Sequence, residues 1–407
     1  MKKIAILCLS LIFFMFPLSG CSKDGDKIEY GEKEMATPFW TVNTMYNESV
    51  LMIKKPDGTL ASGNLIFEPT GKVTVMNSTM DVVYEEGKDY TISGRTITVT
   101  ENTQMPWIDE EVLYGVNMPA NKGLSTQPAS AAGKEKGYEN VLYTEGTYLI
   151  ENQLLVTYEY DKTQFDTSMI PQYQGDKLPN TLSKLKNKES VNIIAFGDSI
   201  STGCNSTGGG LETVYDDNGA YYTPFNRAPY TPTFPEMFAT QLAKHYDAET
   251  TIFGAAVGGQ ISTWGAKVAA DRVVNLDMGY DPDLVTIGFG MNDATLGVSL
   301  ELFKSNILEI IDSIREKSGK TVEFILIGTM LANPDAIQCT NQEDYWPVLE
   351  SVASQREGVV AVDMGAMHKF FLENKNYSDM IANNINHPND FIIRMYAMNL
   401  LATLIEY

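Results

Sequence analysis

The stretch Asn192-Ile193-Ile194-Ala195-Phe196-Gly197-Asp198-Ser199-Ile200-Ser201 decides how the second half of this chain reads. A short apolar run closes on Gly197-Asp198, a pair that favours a sharp turn. Such a run between turn signals is expected to be a buried strand. Open α/β sheets carry their chemistry at the C-terminal ends of their strands, so the Ser199 hydroxyl is expected at such an edge. A serine needs a base before it can act as a nucleophile. The chain has three histidines, and His387 stands in Asn386-His387-Pro388-Asn389-Asp390, a loop-like setting near the C-terminus.

Further apolar runs follow at Thr250–Phe253, Leu284–Gly288, Glu323–Ile327 and Val359–Val362, alternating with helical segments. The segment Leu300–Lys317 places Leu300, Phe303, Ile307, Ile310, Ile311 and Ile314 on one helical face. A helix after His387, capped by Asn389 or Asp390, buries Phe391, Met395, Met398 and Leu401. Strands alternating with helices imply a flavodoxin-like, doubly wound parallel sheet with right-handed crossovers.

The first half has a different period. Val50–Lys54, Asn64–Glu68, Lys72–Asn77 and Asp81–Tyr84 are short β-rich runs, with turn signals at Lys55-Pro56-Asp57-Gly58 and Glu85-Glu86-Gly87-Lys88. Tyr90–Ile92 and Thr96–Thr100 flank Ser93-Gly94-Arg95 as a hairpin, and Tyr148–Tyr160 reads as one or two more strands. An all-β sandwich domain is expected over residues 38–180. A polar connector at Gln172–Ser190 leads into the α/β domain over residues 181–407.

The N-terminus reads as a targeting segment over residues 1–20. Lys2 and Lys3 precede an apolar stretch, Ile4–Leu18, too short for a comfortable membrane span. Leu18-Ser19-Gly20-Cys21 resembles a bacterial lipobox, which implies cleavage and lipidation at Cys21. The alternative is an ordinary secretory signal with a chance cysteine. The lipobox reading predicts a tether over residues 21–37, a location in the bacterial cell envelope outside the cytoplasm, and membrane contact through the lipid alone. The formal charge of −22, from 52 acidic and 30 basic residues, argues against nucleic-acid partners. Cys204 and Cys339 remain in the folded part, where export permits but does not require a disulfide. No C-x-x-C or H-E-x-x-H pattern is present, and three scattered histidines make a zinc site a poor expectation.

Four short blocks fall at strand ends or a helix start of the second domain. They are Gly197-Asp198-Ser199, Gly254–Gln260, Gly288-Phe289-Gly290-Met291-Asn292-Asp293, and Asn384-Ile385-Asn386-His387-Pro388. In order and content they resemble the SGNH (GDSL) hydrolases, with a match over about residues 190–407. That resemblance implies Ser199 as nucleophile and His387 as base. It also implies an oxyanion hole from the Ser199 N–H, the Gly259 N–H and the Asn292 side chain, and no cofactor. The family often places an aspartate three residues before the histidine, and here that position is Asn384. Either Asn384 or a backbone carbonyl orients His387 in a Ser–His dyad, or an acid from elsewhere serves. Asp379 and Asp390 are near in sequence, although Asp390 is more simply a helix cap.

Other residues have plain structural readings. His245 and His368 lie on helices as surface or packing residues. Asp198 is expected to serve the turn rather than stand behind the site as an acid, and Asp293 to anchor its loop rather than take part in the chemistry. Trp264 either stacks on a sugar in the cleft or belongs to the core. Tyr221–Thr233, aromatic and Pro-rich, is expected to wall the cleft. Two-domain carbohydrate esterases of this superfamily share the layout, so the resemblance implies removal of acyl groups, acetyl foremost, from a carbohydrate substrate. A lipase or phospholipase, or an inactive glycan-binding lipoprotein, are the alternatives.

Overall fold

A computed structural model of the chain describes residues 31–211, 225–276 and 279–407. The targeting segment, Cys21 and residues 221–224 of the aromatic loop lie outside the described residues.

The Asn192–Phe196 run forms the strand Val191–Gly197, and the other four apolar runs form strands within a residue or two of their expected bounds. The sheet order is Thr250–Gly254, Val191–Gly197, Leu284–Gly288, Glu323–Gly328, Val359–Asp363, with every pair parallel. The first strand thus lies between the second and third. The chain winds one way from it and then the other, which opens a crevice beyond the C-terminal ends of Val191–Gly197 and Leu284–Gly288. Gly197 pairs with Gly288 at that crevice. A Cβ on Gly197 would lie 2.2 Å from the Gly288 carbonyl oxygen, so the turn into Ser199 requires glycine there.

The helix Leu300–Ser318 buries Phe303, Ile307, Ile310, Ile311 and Ile314, and the Ser299 hydroxyl caps it by accepting from the Leu302 N–H. The last helix, Asp390–Leu404, is capped by Asn389, whose Oδ1 accepts from the N–H groups of Phe391 and Ile392. This helix is buried all round rather than on one stripe. It packs against Phe234–Tyr246 on one side and the first domain on the other.

The first domain is rich in antiparallel strands and sandwich-like. One sheet runs Thr44–Leu51, Gln153–Tyr160, Pro69–Met76, Val83–Tyr84. The other runs Tyr90–Ser93, Thr96–Val99, Ser62–Asn64, Ile53–Lys54, Ile108–Asp109. The expected hairpin at Ser93–Thr96 is present. Three local expectations need correcting. The strand expected at Asn64–Glu68 is Ser62–Asn64. Tyr148–Asn152 is a helical turn before the strand begins at Gln153. The expected tether also reaches too far: Glu32–Ala36 is helical, Ala36 is buried, and the Met35 carbonyl accepts from Arg394 Nε at 2.7 Å.

The two domains share one hydrophobic core, in which Val50, Leu154 and Val156 join Phe391, Met395 and Leu401. Polar groups reinforce the joint. Arg394, fully buried, also donates to the Tyr46 carbonyl at 2.6 Å. Lys375 Nζ lies 2.7 Å from Glu48 Oε1 and 3.8 Å from Asp379 Oδ2, with all three side chains sealed from solvent. The connector includes the helix Pro179–Lys186, whose Asn180 and Thr181 N–H groups donate to the Glu323 carboxylate at 2.9 and 2.8 Å. No helix among the described residues is long and apolar enough to cross a membrane.

Candidate active site

Ser199 sits on the turn that ends its strand. The Asp198 N–H donates to the Gly288 carbonyl at 3.1 Å, and Asp198 Oδ1 accepts from the Ile200 N–H at 3.0 Å. Burial pushes the Asp198 carboxyl up to about 7, against the opposing hydrogen bond from Ile200. Asp198 therefore shapes the turn, as expected.

His387 sits on an irregular loop, and a side chain of that loop fixes its backbone. Asn383 Oδ1 accepts from the N–H groups of Ile385, Asn386 and His387, each at 2.9 Å. The ring then reaches back to the strand end: His387 Nε2 is 3.0 Å from Ser199 Oγ. Both residues are nearly closed to solvent, at 4% and 5% exposure. For Nε2 to accept the serine proton, the ring must carry its own proton on Nδ1. Two oxygens stand there to receive it, Asn205 Oδ1 at 2.8 Å and Glu145 Oε2 at 3.2 Å.

Neither of those residues was singled out by the sequence, and the expected orienter does not reach the ring. Asn384 Nδ2 donates to the carbonyls of Leu113 and Leu142, at 3.2 and 3.1 Å, while its own carbonyl accepts from Asn333 at 2.6 Å. Its φ of +66° turns the side chain toward the first domain, a conformation that Asn tolerates better than most residues. Asp379 and Asp390 are engaged elsewhere, with the Leu51 N–H and with Thr207. Asn205 is buried six residues after Ser199, on the same turn-rich segment. Glu145 comes from the first domain, just beyond the strand Asn140–Tyr143. A short lobe carries it: Asn140–Tyr143 pairs with Ser125–Pro128, whose neighbour Ala129 bridges to Ala336 of the second domain. Its Oε1 accepts from Tyr143 Oη at 2.7 Å. Burial alone would raise the Glu145 carboxyl. The hydrogen bond and charge attraction of His387, with help from Tyr143 and Asn383, outweigh it and leave the carboxyl below its ordinary range.

The three expected oxyanion donors follow neighbouring strands of one sheet, Ser199 and Gly259 on turns and Asn292 in the short helix Met291–Thr295. Gly259 has φ +74°, the left-handed region that suits glycine. Asn292 Nδ2 donates to the Gln260 carbonyl at 3.1 Å, which ties the two donor loops together and leaves its second amide proton to aim elsewhere. Asp293 locks the same loops, since its carboxylate accepts from the N–H groups of Ser262 and Gly290. Trp264 packs on Phe196 and Phe289, and the Arg272 guanidinium lies 5.4 Å from its ring. It thus belongs with the core layer rather than standing free for a sugar. Cys204 is buried and Cys339 partly so, and both thiols are free. His368 is fully buried, with its Nδ1 accepting from the Leu331 N–H at 3.2 Å. Among the described residues no cluster of His, Cys, Asp and Glu could hold a metal ion.

Residues 195–391 match the model of the GDSL-like lipase/acylhydrolase family, a span that contains Ser199, Gly259, Asn292 and His387. The second domain carries a GDSL-like domain. Glu145 falls outside the matched span of this GDSL-like domain. Solved structures of similar fold include a two-domain esterase active on acetylated mannans, co-crystallised with mannopentaose. It is 18% identical, with a TM-score of 0.39, over 56% of this chain and 52% of that one. A second structure of a two-domain esterase active on acetylated mannans matches at 17% identity and a TM-score of 0.40, over 54% and 50%. A lipase/acylhydrolase from Enterococcus faecalis matches at 19% identity and a TM-score of 0.36, over 52% and 93%. The chain therefore spans about half the length of the two-domain esterase it resembles. No curated protein matches it.

Proposed function

We propose that this protein is an exported serine esterase that removes acyl groups, acetyl foremost, from carbohydrate through an acyl-enzyme on Ser199. The observation that carries the reading is the 3.0 Å approach of His387 Nε2 to Ser199 Oγ, with oxygen acceptors on the far side of the ring. In this reading His387 takes the serine proton as Oγ adds to the ester carbonyl, then gives it to the departing sugar alcohol. The N–H groups of Ser199 and Gly259, with the Asn292 amide, receive the oxyanion, each worth on the order of 3 kcal/mol in the transition state. Water then attacks the acyl-enzyme by the same route and releases the acid. The near closure of Ser199 and His387 favours a small acyl group over a long chain. Export and lipid anchoring at Cys21 belong to the same proposal and rest on the N-terminal sequence.

The test is hydrolysis of acetylated oligosaccharides and of model esters from acetate to octanoate. The wild type is expected to prefer acetate, and Ser199→Ala to lose at least about 10⁴-fold in kcat. Turnover that survives Ser199→Ala ends the serine mechanism. A preference for octanoate replaces the carbohydrate reading with a lipase.

A further inference from the structure

Two oxygens compete for one proton on His387 Nδ1, and they differ in charge and origin. Asn205 Oδ1 is nearer, at 2.8 Å, neutral and buried beside Ser199 in the second domain. Glu145 Oε2 is at 3.2 Å, anionic, and supplied by the first domain. A neutral acceptor is enough to choose the tautomer, because it needs only to receive the N–H. It does little for the imidazolium that forms when the ring takes the serine proton, which calls for a negative charge at hydrogen-bonding distance.

We propose that the two tasks are divided: Asn205 sets the resting tautomer of His387, and Glu145 of the β domain is the positioning carboxylate that steadies its charged form. The reacting pair is then complete only when the first domain is docked. The sequence position where the family often carries its acid is free for another use, and Asn384 there binds the first domain's own backbone at Leu113 and Leu142.

Among the described residues, Glu145 is the carboxylate that bonds the His387 ring. Asp198 is turned to the Ile200 N–H, and burial holds its carboxyl high. Asp390 bonds Thr207 through both oxygens, and burial likewise raises it to about 6. The Cys204 thiol, buried beside Ser199, is pushed well up and carries no charge at neutral pH. Glu145 is held in place by Tyr143 and Asn383, and its side chain is 32% exposed, so the isosteric amide of Glu145→Gln can be accommodated there.

The inference rests on the Ser–His reading, so its test reports on Ser199 without needing the natural substrate. A fluorophosphonate is attacked by Ser199 Oγ; the O–P bond forms, the P–F bond breaks, fluoride leaves, and the serine proton passes to His387. The rate of Ser199 modification is followed by mass spectrometry between pH 5 and 9 for full-length wild type, Glu145→Gln, Glu145→Asp and Ser199→Ala. Glu145→Gln is expected to slow the saturated rate about 10- to 100-fold, the worth of a charge-assisted hydrogen bond, with probe affinity nearly unchanged. Glu145→Asp restores part of the rate, and the melting temperature of both variants stays near wild type. A Glu145→Gln rate within twofold of wild type, or a loss that Glu145→Asp does not partly restore, overturns the division of tasks and leaves the dyad standing. Absence of modification at Ser199 in the wild type, or equal modification of Ser199→Ala at another residue, overturns the Ser–His reading itself.

Discussion

The serine side and the histidine side of the candidate site are held in different ways. Ser199 is placed by short-range means: a strand, a Gly197 that no side chain could replace without meeting Gly288, and a turn whose bonds span a few residues. His387 is placed by an irregular segment that leans on the other domain. Ser49 Oγ donates to the Asp379 carbonyl at 2.5 Å, and Gln153 Nε2 donates to the carbonyls of Ser378 and Ile381, each at 2.9 Å. Asn389 Nδ2 reaches back to Ser49, Gln153 and Asp379, and the Thr144 N–H meets the Asn383 carbonyl. A sheet edge can present a nucleophile by itself, whereas a loop base here takes its rigidity from a neighbouring fold. Perturbing the domain joint is therefore expected to disable the histidine before the serine.

The largest effect should come from the buried charges at that joint. Lys375 faces Glu48 and Asp379, and Glu48 is also bonded by Tyr158 Oη at 2.6 Å and the Ile66 N–H at 2.9 Å. Burial pushes the Asp379 carboxyl up to about 6 even with Lys375 opposing it. Lys375→Ala leaves two carboxylates buried without their cation, which should cost about 3–5 kcal/mol in urea unfolding. A loss under 1 kcal/mol would mean that the joint is held by its apolar core alone. Asn384→Asp comes next. It installs the acid that the family often has, yet this side chain donates to two carbonyls, and a carboxylate cannot donate. The substitution should cost about 1–3 kcal/mol and leave esterase turnover no faster than wild type. A gain in kcat would show that residue 384 can swing to His387 and would blur the contrast between the two sides.

Legibility in the sequence follows the same division. Period and turn chemistry place all five parallel strands, the long helix at Leu300 and a cap at Asn389 or Asp390, of which the structure uses Asn389, because each depends on neighbours a few residues away. Ser199 and His387, which the structure brings within 3.0 Å, stand out because each is part of a short block at a strand end or helix start, as are the expected donors Gly259 and Asn292. Glu145 is not, since nothing around Thr144-Glu145-Gly146 announces a partner more than two hundred residues on. Asn205 lies close to Ser199 but in a run of small polar residues that reads as loop. Asn384 misleads because its spacing from His387 is right while its left-handed backbone points it the other way. The helical turn at Tyr148–Asn152 is hidden for a similar reason: its Tyr148, Leu149 and Ile150 are buried by tertiary packing that outweighs their β preference.

The smallest expected effect, graded by pH, separates the two buried histidines. His387 has a carboxylate beside it, whereas burial without a countercharge lowers His368 to about 3. His368 supports the segment that carries His387 from below, through its bond to the Leu331 N–H and its contact with Tyr377, whose hydroxyl bonds the Leu331 and Ile385 carbonyls. The unfolded chain binds a proton at His368 near pH 6.5, and the folded chain refuses it until about pH 3. Stability from this group is thus complete above about 6.5 and falls as pH drops, by about 1.4 kcal/mol per unit, down to about pH 3. Unfolding free energies from urea titrations at pH 7 and pH 5 should differ by about 2 kcal/mol more in the wild type than in His368→Gln, whose amide can accept from Leu331 but does not titrate. An equal pH dependence in the two proteins would mean that His368 can take up its proton without unfolding. The segment behind His387 would then be looser than its hydrogen bonds imply.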